Sequence, residues 1–465
     1  MKLITTSSIV LATLLVGCGG TKESSSQPTN ESITIQEESN NTKVVIPVAL
    51  EPIVEINTTK EVDKTTIVQR EKKIITKYST IEIPTLVVVV NSLEKKETAP
   101  GTFNNLIFNE VSSYILSDTA NKYKFIPAKE EQGKKDDGVI FINTDESHFS
   151  NATTSSEYLG KMRTVLEKVD NYIDFSKYAK GKKLSPLELH IIFLIAGGDS
   201  TLGDGVNSIS ARSTRLNTEI FTYDGVSLFE KGGLTTASTR QRGNISTKGT
   251  IIHESYHSLF GLADLYSNNG KGIGVYDMMA NGNWSYISSS KLGDSPVGLS
   301  APMQFETKIL TYDKVFYSNN IIDTVVELKC SDNEAIRIIN SSNNSEQFMI
   351  DCTNPNSKKD LSFSRTYGFG YDFFTTIYRY DSSKKDNNED GIQDYNNHFR
   401  VGLVQNNNRN GLATKKSTLP STLDNYYNGD IISSDKLNFY SGSSDFNIEV
   451  VGTNKSNGTM TIRIY

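Results

Sequence analysis

Four stretches early in the chain have the hydrophobic pattern of β-strands. Within Ile81–Asn91 the apolar residues are consecutive and mostly β-branched, which indicates a strand buried on both faces of a sheet. Lys122–Pro127 alternates between polar and apolar residues, and Gly138–Asn143 and Glu188–Ala196 are two further apolar runs. These stretches predict the strands of a buried sheet.

The third and fourth stretches are separated by a segment with helical periodicity. Its apolar residues recur every three or four positions, at Tyr158, Met162, Val165, Leu166, Val169 and Ile173. After about residue 321 the pattern changes to short apolar strands separated by Asn, Ser, Asp and Gly, which is typical of a β-sandwich. We therefore predict an α+β protein, in which an α/β-layered domain at residues 80–320 precedes an all-β, sandwich-like domain at residues 321–465.

The N-terminal residues have the features of an export signal. Lys2 is followed by an apolar stretch, Ile9–Val16, that is too short to span a bilayer. Leu15-Val16-Gly17-Cys18 resembles the cleavage box of bacterial lipoproteins, in which the cysteine is acylated and becomes the new N-terminus. We therefore expect residues 1–17 to be a lipoprotein signal peptide and Cys18 to carry the lipid.

A polar segment follows this cysteine. Between residues 21 and 42 the only apolar side chains are Ile33 and Ile35, so this part cannot bury enough surface to fold. We expect residues 18–79 to be a disordered tether or a short pro-segment. The protein would then be an exported lipoprotein at the cell surface or outer membrane, or released outside the cell, and would contact the membrane through its lipid anchor only.

Composition excludes two classes of function. The chain has 48 Lys and Arg against 54 Asp and Glu, a net charge of −6, so it lacks the basic field that would bind a nucleic-acid backbone. After the N-terminus there is no apolar run of the length that a transmembrane helix needs, which excludes a polytopic membrane protein. If Cys18 is lipidated, the remaining cysteines, Cys330 and Cys352, form an even pair in an exported protein, and we expect a disulfide rather than two buried thiols.

The strongest chemical signal is the segment His253-Glu254-Ser255-Tyr256-His257. On a helix, residues four apart lie on one face, so both imidazoles can bind one Zn²⁺, while Glu254 lies beside the metal as a general base. A chance match is rare in a chain with 5 histidines among 465 residues. The other three, His148, His190 and His398, we expect to be structural.

A catalytic zinc needs a third protein ligand and an open position for water. No histidine occurs in the hundred residues after His257. The first carboxylate is Asp264, just beyond Gly261, where a turn could bring the chain back beneath the metal. We favour Asp264, with Asp277 and Glu306 as alternatives.

A second metal-binding pattern lies in the C-terminal half. Positions 1, 3, 5 and 9 of the segment that begins at Asp386 carry oxygen ligands, namely Asp386, Asn388, Asp390 and Asp394, and a glycine occupies position 6. Position 12 is Asn397 rather than the bidentate Glu of an EF-hand. We expect a structural Ca²⁺ loop here, and the alternative is a solvated Asn/Asp turn.

The residues around the histidine pair resemble a known family. Residues 253–266 (HESYHSLFGLADLY) and 272–284 (GIGVYDMMANGNW) look like the immune inhibitor A family of bacterial secreted zinc metallopeptidases. Weaker similarity to that family extends over about residues 80–465. It includes, in the family's order, residues 124–127, 137–140, 174–178, 187–197, 346–350 and 400–405.

This resemblance implies a zincin fold that hydrolyses peptide bonds of protein or peptide substrates. It implies that His253 and His257 bind zinc, that Glu254 is the general base and that Asp264 is the ligand at the glycine turn. It also implies a methionine turn beneath the metal, at Met278 or Met279. One departure is the glycine of the turn, which often lies three residues after the second histidine in the family but four residues after His257 here.

Three functions are compatible with these features. The first is a monomeric, surface-anchored zinc endopeptidase, which the complete motif with Glu254 favours. The second is a catalytically inert lipoprotein adhesin that binds through its β domain. The third, a metal-dependent amidase or deacetylase, fits the helix equally well but not the wider resemblance.

Overall fold

The computed structural model places most of the chain beyond residue 78. It describes residues 79–214, 221–228, 233–266, 272–287, 291–367, 369–387, 398–406 and 425–465. The predicted signal peptide, the lipidated Cys18 and the tether up to residue 78 lie outside these ranges. Within them, no helix combines the length and the apolar character needed to cross a bilayer.

The first half contains both strands and helices. Its strands are β1 (Ile81–Asn91), β2 (Tyr123–Pro127), β3 (Val139–Asn143), β4 (Lys183–Leu184), β5 (His190–Ile195), β6 (Gly198–Asp199), β7 (Ser208–Ile209), β8 (Arg212–Thr214), β9 (Thr222–Tyr223), β10 (Val226–Leu228), β11 (Leu234–Ser238), β12 (Arg240–Gln241) and β13 (Asn244–Ile245). Its helices are α1 (Pro100–Asn104) and α2 (Ser112–Asp118), joined by a π-helical segment (Asn105–Val111), then α3 (Ser155–Val169), α4 (Lys248–Phe260) and α5 (Ala301–Glu306). Short 3₁₀ turns lie at Phe149–Asn151, Phe175–Lys177, Ser200–Leu202 and Asn281–Trp284.

The main sheet is built around β1. This strand pairs in parallel with β2 and β3 on one side and with β5 on the other. β11 continues the sheet in parallel beyond β5, and β8 closes it as an antiparallel edge strand. All four predicted strands are present within two residues of their expected bounds, whereas the predicted helix ends at Val169 and leaves Ile173 beyond it, buried in a loop.

The sheet is covered by helices on both faces, because its central strands are apolar on both faces. Val87 and Val89 of β1 join a hydrophobic cluster with α1, α2 and α4. Val88 and Val90, which point the other way, join a second cluster with α3. The first half is therefore a helix–sheet–helix sandwich, and the described part of the chain is a mixed α/β structure, which is compatible with the predicted α+β class.

The second half is mainly β. Its strands are β14 (Tyr312–Tyr317), β15 (Thr324–Lys329), β16 (Glu334–Ile339), β17 (Glu346–Thr353), β18 (Phe374–Asp381), β19 (Val401–Leu403), β20 (Ile431–Ile432), β21 (Ile448–Asn454) and β22 (Thr459–Ile464), and its one described helix is α6 (Leu361–Arg365). They form a sheet in the order β14-β16-β17-β18-β19 and another in the order β15-β22-β21-β20. Both sheets contribute to one hydrophobic cluster, which is the arrangement of a β-sandwich. Cys330, next to β15, and Cys352 of β17 are joined by a disulfide.

The two halves share a hydrophobic core. The cluster that covers one face of the main sheet also contains Met278 and Met303 from the first half and Met349, Phe363 and Phe374 from the second. All the described residues belong to one compact unit. The change of sequence pattern near residue 320 therefore falls within a continuous core.

A buried carboxyl group at this junction should make stability depend on pH. Burial raises the pKa of Asp351, on β17, to about 7, although hydrogen bonds from the amide of Ala301 and the side chain of Tyr378 act in the opposite direction. An unfolded aspartate has a pKa of about 3.9, so between these values the folded state binds more protons than the unfolded state, and stability falls as pH rises from about 4 to 7. One such group can lower the free energy of unfolding by at most about 4 kcal/mol over this pH range.

We expect Asp351→Asn to reduce the fall in stability between about pH 4 and pH 7. The free energy of unfolding by urea, measured at pH 5 and pH 8, should fall less in the variant than in the parent. Asp277, whose pKa burial also raises to about 7, contributes to the dependence that remains in both proteins. Asp332→Asn, at a carboxylate that is 58% exposed, is the matched control. An equal fall in parent and variant would contradict the prediction.

Candidate metal centre

The two histidines of the motif lie on α4, which the sequence builds as a buried helix. Ile251, Ile252 and Tyr256 pack into the core, and the helix ends at Gly261. This residue has φ +68°, a left-handed conformation that glycine adopts without strain, and its amide donates to the carbonyl of His257 over 3.0 Å. The chain then turns back, so that Asp264 faces the histidines.

Three potential ligand atoms converge at this turn. The Nε2 atoms of His253 and His257 lie 3.1 Å apart, and Oδ1 of Asp264 lies 3.2 Å from the first and 3.0 Å from the second. Zinc bonds of about 2.0–2.2 Å in a tetrahedron place ligand atoms about 3.3–3.5 Å apart. An expansion of a few tenths of an ångström would therefore fit these three atoms around one zinc ion.

The orientation of both imidazole rings is fixed by backbone carbonyls. Nδ1 of His253 donates to the carbonyl of Met278 over 2.8 Å, and Nδ1 of His257 donates to the carbonyl of Leu262 over 2.5 Å. The ring of Tyr266 lies nearly parallel to that of His253, with 6.3 Å between their centres. Each ring therefore directs Nε2 to the point where the three atoms converge. Histidine ligands of metal sites are oriented in the same way, by a hydrogen bond at the other ring nitrogen.

The charges of the centre are strongly coupled. Burial alone would raise the pKa of Asp264, but hydrogen bonds from His253 and His257 outweigh it and lower that pKa. Burial alone would lower the pKa of His253, but Asp264 and Glu254 raise it to about 9. A metal ion must therefore displace a proton from this imidazole, so its binding should weaken as pH falls.

Glu254 lies beside this centre without being one of the three converging ligands. It is 4% exposed, and burial raises its pKa, although the two histidines and the backbone amide of Ser213 on β8 act in the opposite direction. The side chains of His257 and Asp264 are 17% and 29% exposed, against 2% for His253. The centre therefore opens to solvent on the side of His257 and Asp264, where a water molecule or substrate can enter.

The other candidate ligands are held elsewhere. The carboxylate of Asp277 accepts hydrogen bonds from the amides of Met279 and Ser300, and Glu306 forms an ion pair with Arg400 at 2.6 Å. Neither belongs to the cluster of His253, His257 and Asp264. Of the three candidates, the structure brings only Asp264 to the histidines.

The two methionines of the predicted methionine turn are fully buried. Met278 contacts the centre through its backbone carbonyl, which accepts from His253. The carbonyl of Met279 accepts from the amide of Leu265 over 2.8 Å. Both residues therefore connect the segment after Asp277, through their backbones, to α4 and to the turn that carries Asp264.

A residue of the second half also supports this turn, although no sequence pattern predicts that contact. Asn387 is 4% exposed, and its side-chain amide donates to the carbonyl of Leu265, next to Asp264, over 2.8 Å. The same amide donates to the carbonyl of Val401, and the amide of Val401 donates back to Oδ1 of Asn387. Asn387 is thus fixed by β19 and holds the loop that carries Asp264.

We expect Asn387→Ala to weaken zinc binding about tenfold, at the lower end of the effects seen when outer contacts of metal ligands are removed. Loss of its hydrogen bonds removes the shorter of two contacts to the carbonyl of Leu265, which keeps the amide of Ile273 at 3.2 Å, and frees the turn to move. Competition with a chromophoric chelator measures the dissociation constant, and Asn320→Ala, at an exposed asparagine, is the control. Unchanged affinity in the Asn387 variant would show that the turn does not depend on this contact.

The predicted calcium loop can be located only in part. Asp386 lies among the described residues, next to Asn387, whereas Asn388, Asp390 and Asp394 lie outside them. The Ca²⁺ site therefore stays a prediction.

Two of the remaining histidines are buried and hydrogen-bonded, as expected of structural residues. Nε2 of His148 lies 3.1 Å from the carbonyl of Ala196. His190, at the start of β5, contacts the hydroxyls of Ser255 and Thr235, and burial lowers its pKa to about 3. His398 differs from both, because its Nε2 lies 2.6 Å from the buried carboxylate of Asp381 and within 4.8 Å of a potential ligand atom of Glu346.

The chain matches no model of a known protein family, and no curated protein matches it. The chemistry of the centre is therefore inferred from its own residues.

Proposed function

We propose that this protein is a zinc-dependent endopeptidase with a zincin-type catalytic domain. The observation that carries the proposal is the convergence of His253, His257 and Asp264 to within 3.2 Å of one another, with Glu254 adjacent. Two imidazoles and one carboxylate are a donor set that suits zinc, and three protein ligands leave a fourth position open.

The residues divide the chemistry between them. Zinc bound at this site would supply Lewis acidity, which activates water as a nucleophile and polarises the scissile carbonyl. Glu254 would accept the proton of the attacking water and deliver it to the leaving amine, and its raised pKa suits a group that must both take and release a proton. His253 and His257 would keep their rings in place through Met278 and Leu262.

The edge of the main sheet favours an extended peptide as the substrate. β8 pairs with β11 on one side, and no described strand pairs with its other side. A peptide could add to such an edge through main-chain hydrogen bonds. The amide of Ser213, on this strand, acts on Glu254, so the edge lies next to the proposed base. This juxtaposition supports peptide hydrolysis over the deacylation of a small amide.

The N-terminal lipoprotein signal supports a place for this activity outside the cytoplasm. A lipid on Cys18 would tether the catalytic part at the cell surface or outer membrane, and proteolytic release would free it. Its substrates would then be extracellular proteins or peptides.

Removal and return of zinc tests the proposal. A soluble form of the chain that starts after Cys18 should hydrolyse unfolded casein, lose this activity after treatment with 1,10-phenanthroline and dialysis, and regain it with one equivalent of Zn²⁺. Treatment with a non-chelating phenanthroline isomer is the control. A folded protein that binds zinc but cleaves neither casein nor a peptide library would refute the proposal and favour the inert adhesin.

A further inference from the structure

A second group of metal-binding side chains lies in the β half, away from the centre on α4. Glu346 starts β17, Asp381 ends β18, and these two residues are direct cross-strand neighbours. His398 precedes β19, which pairs with β18. One potential ligand atom from each of the three residues lies within 4.8 Å of the others.

Each of these side chains is held in place by neutral groups. Glu346 accepts from the side-chain amide of Asn343 over 2.8 Å and from the backbone amide of Ser441 over 3.1 Å. Oδ1 of Asp381 accepts from the amide and the hydroxyl of Ser383, over 2.8 and 2.7 Å. Such contacts orient carboxylates in the way that outer partners orient metal ligands.

The imidazole of the cluster is fixed as well. The ring of His398 stacks on that of Tyr440 with 3.9 Å between their centres, and its Nε2 lies 2.6 Å from Oδ2 of Asp381. The same kind of contact, imidazole Nε2 to carboxylate oxygen, joins His257 to Asp264 in the first centre. In both places a metal ion could replace the proton between the two atoms.

The charge balance of the cluster favours a cation. Glu346 and Asp381 are only 2% and 1% exposed, and no described ion pair joins Glu346 to a basic side chain. Two carboxylates buried side by side repel each other, and the one imidazole of the cluster can carry at most a single positive charge.

We propose that Glu346, Asp381 and His398 form a second metal site that binds a divalent transition-metal ion such as Zn²⁺. The imidazole distinguishes this site from one for Ca²⁺ or Mg²⁺, which prefer oxygen ligands, while two carboxylates and an imidazole suit Zn²⁺. The ion would link β17, β18 and the start of β19, so its role is structural. The inference does not depend on the proposed peptidase activity.

Metal stoichiometry tests the proposal on the full chain after Cys18, prepared without a histidine tag. Equilibrium dialysis against micromolar Zn²⁺ and elemental analysis should give two zinc ions per chain. The count should fall to one in His398→Gln and in Glu346→Gln, and to one in the double variant His253→Ala, His257→Ala. Asp372→Asn, at a carboxylate that is 70% exposed in the same half, should keep two.

The location of the ion gives a readout that needs no variant. In crystals of the parent protein soaked in Zn²⁺, an anomalous difference map at the zinc edge should show one peak between His253, His257 and Asp264 and a second among Glu346, Asp381 and His398. One ion per parent chain that is lost in the double variant His253→Ala, His257→Ala, two ions retained in His398→Gln, or a map without the second peak would each overturn the proposal. If His398→Gln does not fold, the anomalous difference map of the parent protein still shows whether an ion binds at the second site.

Discussion

Replacement of Glu254 by glutamine should abolish hydrolysis and leave zinc in place. Glutamine has nearly the same shape as glutamate but cannot take a proton from the attacking water, and loss of a general base costs about 10²- to 10⁴-fold in rate. The three ligand atoms belong to His253, His257 and Asp264, so the zinc content should stay that of the parent. Glu254 is buried on α4, with 4% of its surface exposed, and glutamine fits the same space.

The measurement is the initial rate of casein hydrolysis by parent and variant at equal zinc content. Glu131→Gln, at a side chain that is 74% exposed, controls for the loss of one negative charge and should keep the parent rate. Thermal unfolding monitored by circular dichroism shows whether each variant is folded. A folded, zinc-loaded Glu254→Gln protein with more than about a tenth of the parent rate would remove Glu254 from its proposed role.

Residues 79–320 alone should not fold to a stable zinc-binding protein. The second half contributes large side chains to the core that covers the main sheet, among them Met349, Phe363, Phe374 and Tyr378. Each such side chain stabilises the fold by about 1.5–3 kcal/mol when buried. Four of them together contribute about as much as the whole stability of a typical domain, which is about 5–15 kcal/mol. Truncation also removes Asn387, which holds the turn of Asp264.

The test compares residues 79–320 with residues 79–465, expressed in the same way. The longer chain should unfold cooperatively in urea and bind zinc, whereas the shorter one should be insoluble or unfold without a sharp transition. A shorter chain with cooperative unfolding and one bound zinc ion would show that the first half is an independent domain.

Local patterns predicted the local structure well. The strand at Ile81–Asn91 was predicted at its observed bounds, because a continuous β-branched run has few alternatives to a buried strand. The helix of His253 and His257 followed from a motif whose spacing works only on a helix. The helical stretch at residues 100–118 was overlooked, although Phe103, Leu106, Ile107, Val111 and Ile115 recur on one face and are buried.

Contacts between distant parts of the chain could not be predicted from local sequence patterns. Asn387 reaches Leu265 only because β18 and β19 lie against the turn after α4, and a lone asparagine carries no signal of that contact. Glu346 and Asp381 are 35 positions apart and become neighbours through the register of β17 and β18. His398 was therefore predicted to be a structural residue, because no spacing in the sequence links it to either carboxylate.

The backbone carbonyls that hold the two imidazole rings have a consequence for the order of assembly. Because Met278 and Leu262 already orient His253 and His257 through Nδ1, the folded chain presents its ligands before any ion arrives. Small zinc domains differ, since they remain unfolded until the metal binds. Under the proposed function, zinc would be the last component to enter, by the partly exposed side of Asp264, in exchange for a proton. Maturation would then be set by the supply of free zinc where the folded protein resides, and scarcity of the ion would leave an intact but inactive reserve.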